Sequence, residues 1–218
     1  MWNLQKSIAP GRTICPNLYR RGQSLSDWAE SVLGLVSSDE PIVAIGSSMG
    51  GSCAIEMARQ APSRIAALVL VGAKAGHRPE PDLRDRYIRS LRTHGIKAVW
   101  PEVLTWFSEN AQKATIDTAH AIARQQRTDD LINAVNVFHG RPNLEHVLSQ
   151  WRKPYLVVSG GCDSMFPKSK SERISKLGPN GRLKTMAECG HFMNMERPAK
   201  FNNIIRSFMA TSKLDFAG

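Results

Sequence analysis

Apolar residues fall along this chain in two patterns that alternate. Continuous apolar runs occupy 41–45 (Pro-Ile-Val-Ala-Ile), 67–71 (Ala-Leu-Val-Leu-Val) and the stretch 154–159. Such runs suit strands covered on both faces, as in parallel sheets. A weaker strand pattern follows at 182–187, and a short one is expected at 12–16. Between the runs the spacing changes to three or four residues. Leu25, Trp28, Ala29, Val32, Leu33 and Val36 place one buried face on a helix that Ser24 or Ser26 can cap. Further helices are predicted over 49–60, 170–177 and 199–211. Strands alternating with helices imply an α/β fold with a mostly parallel sheet and flanking helices.

The alternation stops after Gly76. Residues 77–150 hold helical patterns at 83–92, 98–110, 115–126 and 129–138, with no strong strand signal. The expected organisation is a core built from 1–76 and 151–218, interrupted by a helical lid over 77–150.

The sequence from Ile42 to Ala58 carries the first chemistry. A buried strand runs into Gly46-Ser47-Ser48-Met49-Gly50, which runs directly into a helix. A serine on such a turn takes a strained backbone conformation that lifts its hydroxyl off the sheet edge. Small neighbours are needed where strand and helix nearly touch, and Gly46, Gly50 and Gly51 meet that need. Ser47 lacks glycine at both −2 and +2, so Ser48 is the expected nucleophile. The N–H of Met49, at the start of the helix, is an expected oxyanion donor.

A serine hydroxyl needs a base. His77, His94, His120, His139 and His146 lie in or at the rim of 77–150. His191 instead follows the strand 182–187, at the carboxyl end where parallel sheets collect their sites. Asp163 follows the strand 154–159 at the same edge, and Glu188 and Asp82 are the fallback carboxylates. The expected triad is Ser48, Asp163 and His191, in that chain order.

Composition narrows the picture. The chain has 218 residues, 42% of them hydrophobic, enough for one sizeable domain with a core. Four cysteines form no CxxC pair, and Cys189-Gly190-His191 lacks further ligands at metal-binding spacing, so neither metal nor other cofactor is expected. The formal charge is +10, but it is spread along the chain without a basic-aromatic nucleic-acid motif. No apolar run reaches the roughly 20 residues of a membrane span. The start lacks the apolar stretch of a secretory signal. The expectation is a cytoplasmic protein acting on a small molecule, without nucleic-acid or membrane partners.

These motifs resemble the α/β-hydrolase superfamily over nearly the whole chain. The strand ending in Gly160-Gly161-Cys162-Asp163, with Pro167 beyond it, resembles the family's acid loop. Gly190-His191, followed by apolar residues, Glu196 and Pro198, resembles its histidine loop. Pro16 to Ser24 resembles an early P-D-L-x-G-x-G-x-S turn, with Asn17 in place of the aspartate. His139-Gly140-Arg141-Pro142-Asn143 is similar to a lid-to-core connection of small esterases, lactonases and pimeloyl-carrier methyl esterases. The resemblance implies a serine hydrolase that cleaves a small carboxylic ester, lactone or thioester through an acyl-enzyme. The basic lid residues Arg84, Arg86, Arg89 and Arg92 read first as a solvated helix face, with recognition of an acidic carrier protein as the alternative.

One departure stands out. Family members normally begin with a hairpin and a strand ending in an H-G motif that supplies the second oxyanion N–H. Nothing here matches it, and Met1 to Leu4 resembles the helix just after it. The expectation is a chain without a central strand, read either as a truncation or as a short variant with an open sheet edge available for self-pairing. Losing one oxyanion donor costs on the order of 10²–10³ in rate. A catalytically impaired, binding-only protein is therefore the alternative reading.

Overall fold

The computed structural model describes residues 1–37 and 40–214. Four strands, β1 (Ile42–Ser47), β2 (Ile65–Val71), β3 (Tyr155–Gly160) and β4 (Gly181–Met186), form one sheet in the order β1-β2-β3-β4. Every neighbouring pair is parallel. Parallel neighbours need crossovers, and helices supply them. α2 (Met49–Gln60) crosses from β1 to β2 and α8 (Lys168–Ser175) from β3 to β4, while α1 (Leu25–Leu33) precedes β1 and the short α9 (Met193–Glu196) and α10 (Pro198–Thr211) follow β4. Between β2 and β3 stand five helices: α3 (Pro81–His94), α4 (Ile96–Leu104), α5 (Lys113–Arg124), α6 (Thr128–Gly140) and α7 (Glu145–Gln150).

The two-residue period of the strands divides the core into two layers. Leu68 and Leu70 of β2, with Tyr155 and Val157 of β3, face a cluster that includes Trp28, Ile55 and Leu148. Ala67, Val69 and Val71, with Leu156 and Val158, face the opposite cluster of Met193, Phe201, Ile205 and Phe208. The central strands thus have no polar face, which is why they read as continuous apolar runs. β4 is an edge strand with several exposed positions, and its sequence signal is correspondingly weak.

Ser24 caps α1 in a reciprocal box with Asp27: Asp27 N–H donates to Ser24 Oγ, and Asp27 Oδ2 accepts from Ser24 N–H. α2 spans the whole of the helix expected at 49–60. Three expectations are corrected. Residues 12–16 form no strand: they lie off the sheet and Ile14 is 51% exposed. A strand needs a partner for its backbone groups, and β1 pairs only with β2 among the described residues. The helix expected over 98–110 ends at Leu104, where Thr105, Trp106 and Phe107 turn back on single-turn hydrogen bonds. The glycines around Ser48 are not equivalent, as the site geometry shows.

Candidate active site

Ser48 stands between β1 and α2 with φ +51° and ψ −117°. Apart from Lys213 it is the one non-glycine residue with positive φ among the described residues. Such a conformation costs roughly 1–3 kcal/mol and persists only where the surroundings enforce it. They do so here through backbone contacts. Ser48 N–H donates to Val71 O at 2.9 Å, continuing the β1–β2 ladder one residue past the strand. A Cβ on Gly46 would lie 2.1 Å from Gly50 O, and one on Gly51 would lie 2.2 Å from the Ala73 Cβ. Gly50 differs: a Cβ there would meet only Leu18 Cδ1, at 3.9 Å. Gly46 and Gly51 are therefore sterically required, whereas at position 50 only the backbone is in close contact. Met49 is the first residue of α2, so its N–H has no acceptor within the helix.

His191 and Asp163 meet at the carboxyl end of the sheet. His191 Nδ1 and Asp163 Oδ2 are 2.8 Å apart, with side chains 3% and 0% exposed. The other carboxylate oxygen, Asp163 Oδ1, accepts from the N–H groups of Met165 and Phe166 at 3.0 and 2.8 Å. Those bonds fix the carboxylate, which in turn fixes the imidazole. His191 Nε2 is buried and has no hydrogen-bond partner. The fallback carboxylates are elsewhere: Glu188 is partly exposed and pairs with Lys200, and Asp82 lies in the first turn of α3. Among the other histidines, His120 stacks on Trp100 with ring centroids 4.3 Å apart, and His94 ends α3.

Ser48 and His191 both abut the end of β2. Ser48 is bonded to Val71, and the next residue, Gly72, backs onto His191. Gly72 has φ +52°, and a Cβ there would lie 2.9 Å from His191 Cε1 and 3.2 Å from Asp163 Oδ2. One peptide unit of β2 thus adjoins both residues.

Sequence reasoning did not single out Gly72, Trp106 or Ser108, and it treated Glu196 only as part of a motif. Trp106 O accepts the His191 N–H at 2.6 Å, and the Trp106 indole meets the imidazole edge-on at 6.0 Å. The buried Glu196 carboxylate accepts from Ser108 Oγ and from the Gly190 N–H, tying the turn after α4 to the loop that carries His191. Positive φ at Gly72 and partners some 80 residues apart leave no local signal. Among the described residues, no three His, Cys, Asp or Glu side chains gather as a metal site. No helix among them is long and apolar enough to cross a membrane.

A family model described as "Alpha/beta hydrolase family" matches residues 1–204. The 2-hydroxy-6-oxononadienedioate/2-hydroxy-6-oxononatrienedioate hydrolase of Burkholderia vietnamiensis is 27% identical over 175 residues, covering 76% of this chain and 61% of the relative. The chain spans about two thirds or less of the length of this and other curated relatives, 65% for two of them. Two solved structures share the fold. A thermophilic esterase from Thermogutta terrifontis superposes with TM-score 0.84 at 20% identity, covering 97% of this chain and 85% of the esterase. The enol-lactonase of Burkholderia xenovorans LB400 superposes with TM-score 0.81 at 18% identity, covering 96% of this chain and 85% of the lactonase.

Proposed function

Because the chain belongs to the alpha/beta hydrolase family, we propose that it is a serine hydrolase cleaving a small carboxylic ester, lactone or thioester, with Ser48, His191 and Asp163 as its triad. One observation carries the reading. His191 is held through Nδ1 by Asp163, while its buried Nε2 has no partner, at the same end of the sheet as the strained Ser48. A histidine so held has one role open to it, which is to accept a proton at Nε2.

The proposed reaction proceeds in two halves. Ser48 Oγ attacks the substrate carbonyl carbon as its proton passes to His191 Nε2. Asp163 stabilises the resulting imidazolium and keeps the ring in place. The carbonyl oxygen becomes an oxyanion beside the Met49 N–H, where the start of α2 adds a favourable dipole. Collapse breaks the bond to the leaving alcohol or thiol, which takes the proton from His191. Water, deprotonated by His191, then attacks the acyl-Ser48 ester, and His191 returns that proton to Ser48 Oγ as the acyl–oxygen bond breaks and the carboxylic acid leaves. The helical segment 77–150, from α3 to α7, acts as a lid in this reading.

The test is turnover of p-nitrophenyl esters by the chain and by S48A, H191A and D163N variants. The reading expects S48A and H191A to lose at least about 10³-fold in kcat, and D163N to lose on the order of 10⁴-fold through the wrong imidazole tautomer. Undiminished turnover in S48A would refute it.

A further inference from the structure

A second gathering of titratable side chains lies where the helical segment leaves and rejoins the sheet. Lys74 and His77 sit on the outgoing connection after β2, with His139 in the last turn of α6 and Arg141 just beyond it on the return. The two connections are joined directly. Arg141 donates to Phe138 O and, across 65 residues, to Gly76 O at 3.2 Å, and Leu144 N–H donates to Ala75 O at 2.9 Å.

The charge balance here is one-sided. Arg141 is 5% exposed, its guanidinium stacks 3.9 Å from the Phe138 centroid, and its Nε–H has no acceptor. Among the described residues no carboxylate pairs with it; its partners are two carbonyls and a ring. The Lys74 ammonium is half-buried, 5.5 Å from the same ring, with no hydrogen-bonded acceptor among the described residues. His77 Nδ1 is buried and unpartnered. Glu80, the acid whose field reaches the cluster, is exposed and makes no ion pair among the described residues. Lys170 adds further positive charge near Lys74. Burial pushes Lys74, His77 and His139 below their ordinary values, and the Arg141 charge pushes them the same way. Burial takes Arg141 itself down to about 10.

Gathered, partly desolvated cations that form no ion pair are costly even with the exposed Glu80 nearby, and an anion supplied from outside relieves that cost. The cluster is also close to the proposed chemistry. Lys74 is two residues beyond Gly72, so their Cα atoms are at most roughly 7 Å apart. The Lys74 carbonyl accepts from Ser52 Oγ, in the first turns of α2, at 2.8 Å.

We propose that Lys74, His77, His139 and Arg141 form a subsite for a carboxylate group carried by the substrate, so that the preferred ester has a negative charge on its acyl or alcohol half. Lys74 supplies the direct donor. Arg141, locked to its two carbonyls, supplies fixed positive charge behind it. That the anion belongs to a substrate rests on the hydrolase reading; that the cluster binds it does not.

Binding to an S48A chain separates the two claims, because no turnover is involved. Monomethyl glutarate and its uncharged analogue methyl pentanoate are titrated calorimetrically, with inorganic sulfate as a free-anion control. The expected result is at least tenfold tighter binding of monomethyl glutarate. K74M and K74Q should abolish that preference while circular dichroism stays native, and K184M, on the exposed face of β4, should retain it. Equal binding of the two esters, or a preference that survives both Lys74 variants, overturns the subsite. Sulfate binding that monomethyl glutarate does not displace overturns its assignment to substrate. Intact discrimination in S48A, alongside a wild-type Ser48 that shows no catalysis, would defeat the hydrolase reading and leave the subsite standing.

Discussion

Gly72 and His191 are in direct steric register: a Cβ on Gly72 would come within 2.9 Å of His191 Cε1 and 3.0 Å of Nδ1. The imidazole therefore rests against bare backbone at the end of β2. G72A adds a methyl group at φ +52°, a region costly for alanine. The ring must shift to make room. A misplacement near 1 Å can cost on the order of 10² in rate. G72A should lose about that much in kcat on a p-nitrophenyl ester while keeping native circular dichroism. A rate within twofold of wild type would show that the imidazole is not held by this contact.

The glycines around Ser48 should behave differently from one another. G46A forces a Cβ to within 2.1 Å of Gly50 O, where backbone must move. Overpacking of that kind costs about 1–3 kcal/mol, or roughly 3–10 °C in Tm for a domain of this size. G50A places its Cβ 3.9 Å from Leu18 Cδ1, and alanine is the better helix former. Thermal melts should show a clear loss for G46A and none for G50A. Equal losses would mean that the close approach of β1 to α2 is wrong.

Glu196 is a buried carboxylate that accepts hydrogen bonds from Ser108 and Gly190. E196A leaves those donors unsatisfied, at about 1–3 kcal/mol each. Urea denaturation should show a loss of at least about 2 kcal/mol. E196Q, which keeps the shape and one acceptor oxygen, should lose less. If E196A unfolds at the wild-type midpoint, the link between the turn after α4 and the histidine loop carries no stability.

The cysteines divide by burial. Burial, reinforced by nearby carboxylates, pushes the Cys53 and Cys189 thiols up to about 12. Cys162 is exposed. At pH 8 Cys53 and Cys189 are almost wholly protonated, and only the thiolate alkylates. Iodoacetamide followed by peptide mass spectrometry should find the exposed Cys15 and Cys162 modified first, with Cys53 and Cys189 spared until the chain is unfolded. Early labelling of Cys53 would contradict the packing of α2 against the sheet.

Much of this architecture is legible in the residues themselves. β1, β2 and β3 announce themselves because both of their faces are covered, so neither face needs polar residues. α2 is readable end to end because Ser48 precedes it and Pro62 follows it. The segment 12–16 misled because an apolar pair beside proline resembles a strand wherever it lies, whereas forming one requires an adjacent edge. Helices α7 and α9, of six and four residues, are too short to display a period. Asp163 and His191 could each be placed at a strand end, but their 2.8 Å contact depends on loop paths that no local pattern encodes. The basic cluster is less legible still. Lys74 and His77 meet His139 and Arg141 only because the helical segment returns to where it left.

The central claim is that Ser48 is the nucleophile activated by His191. It is tested most directly by treating the folded chain with a fluorophosphonate and locating the adduct by peptide mass spectrometry. The account predicts stoichiometric phosphonylation of Ser48, none on Ser47, and loss of labelling in both S48A and H191A. A folded chain whose Ser48 stays unmodified, or whose label survives in S48A, would contradict it.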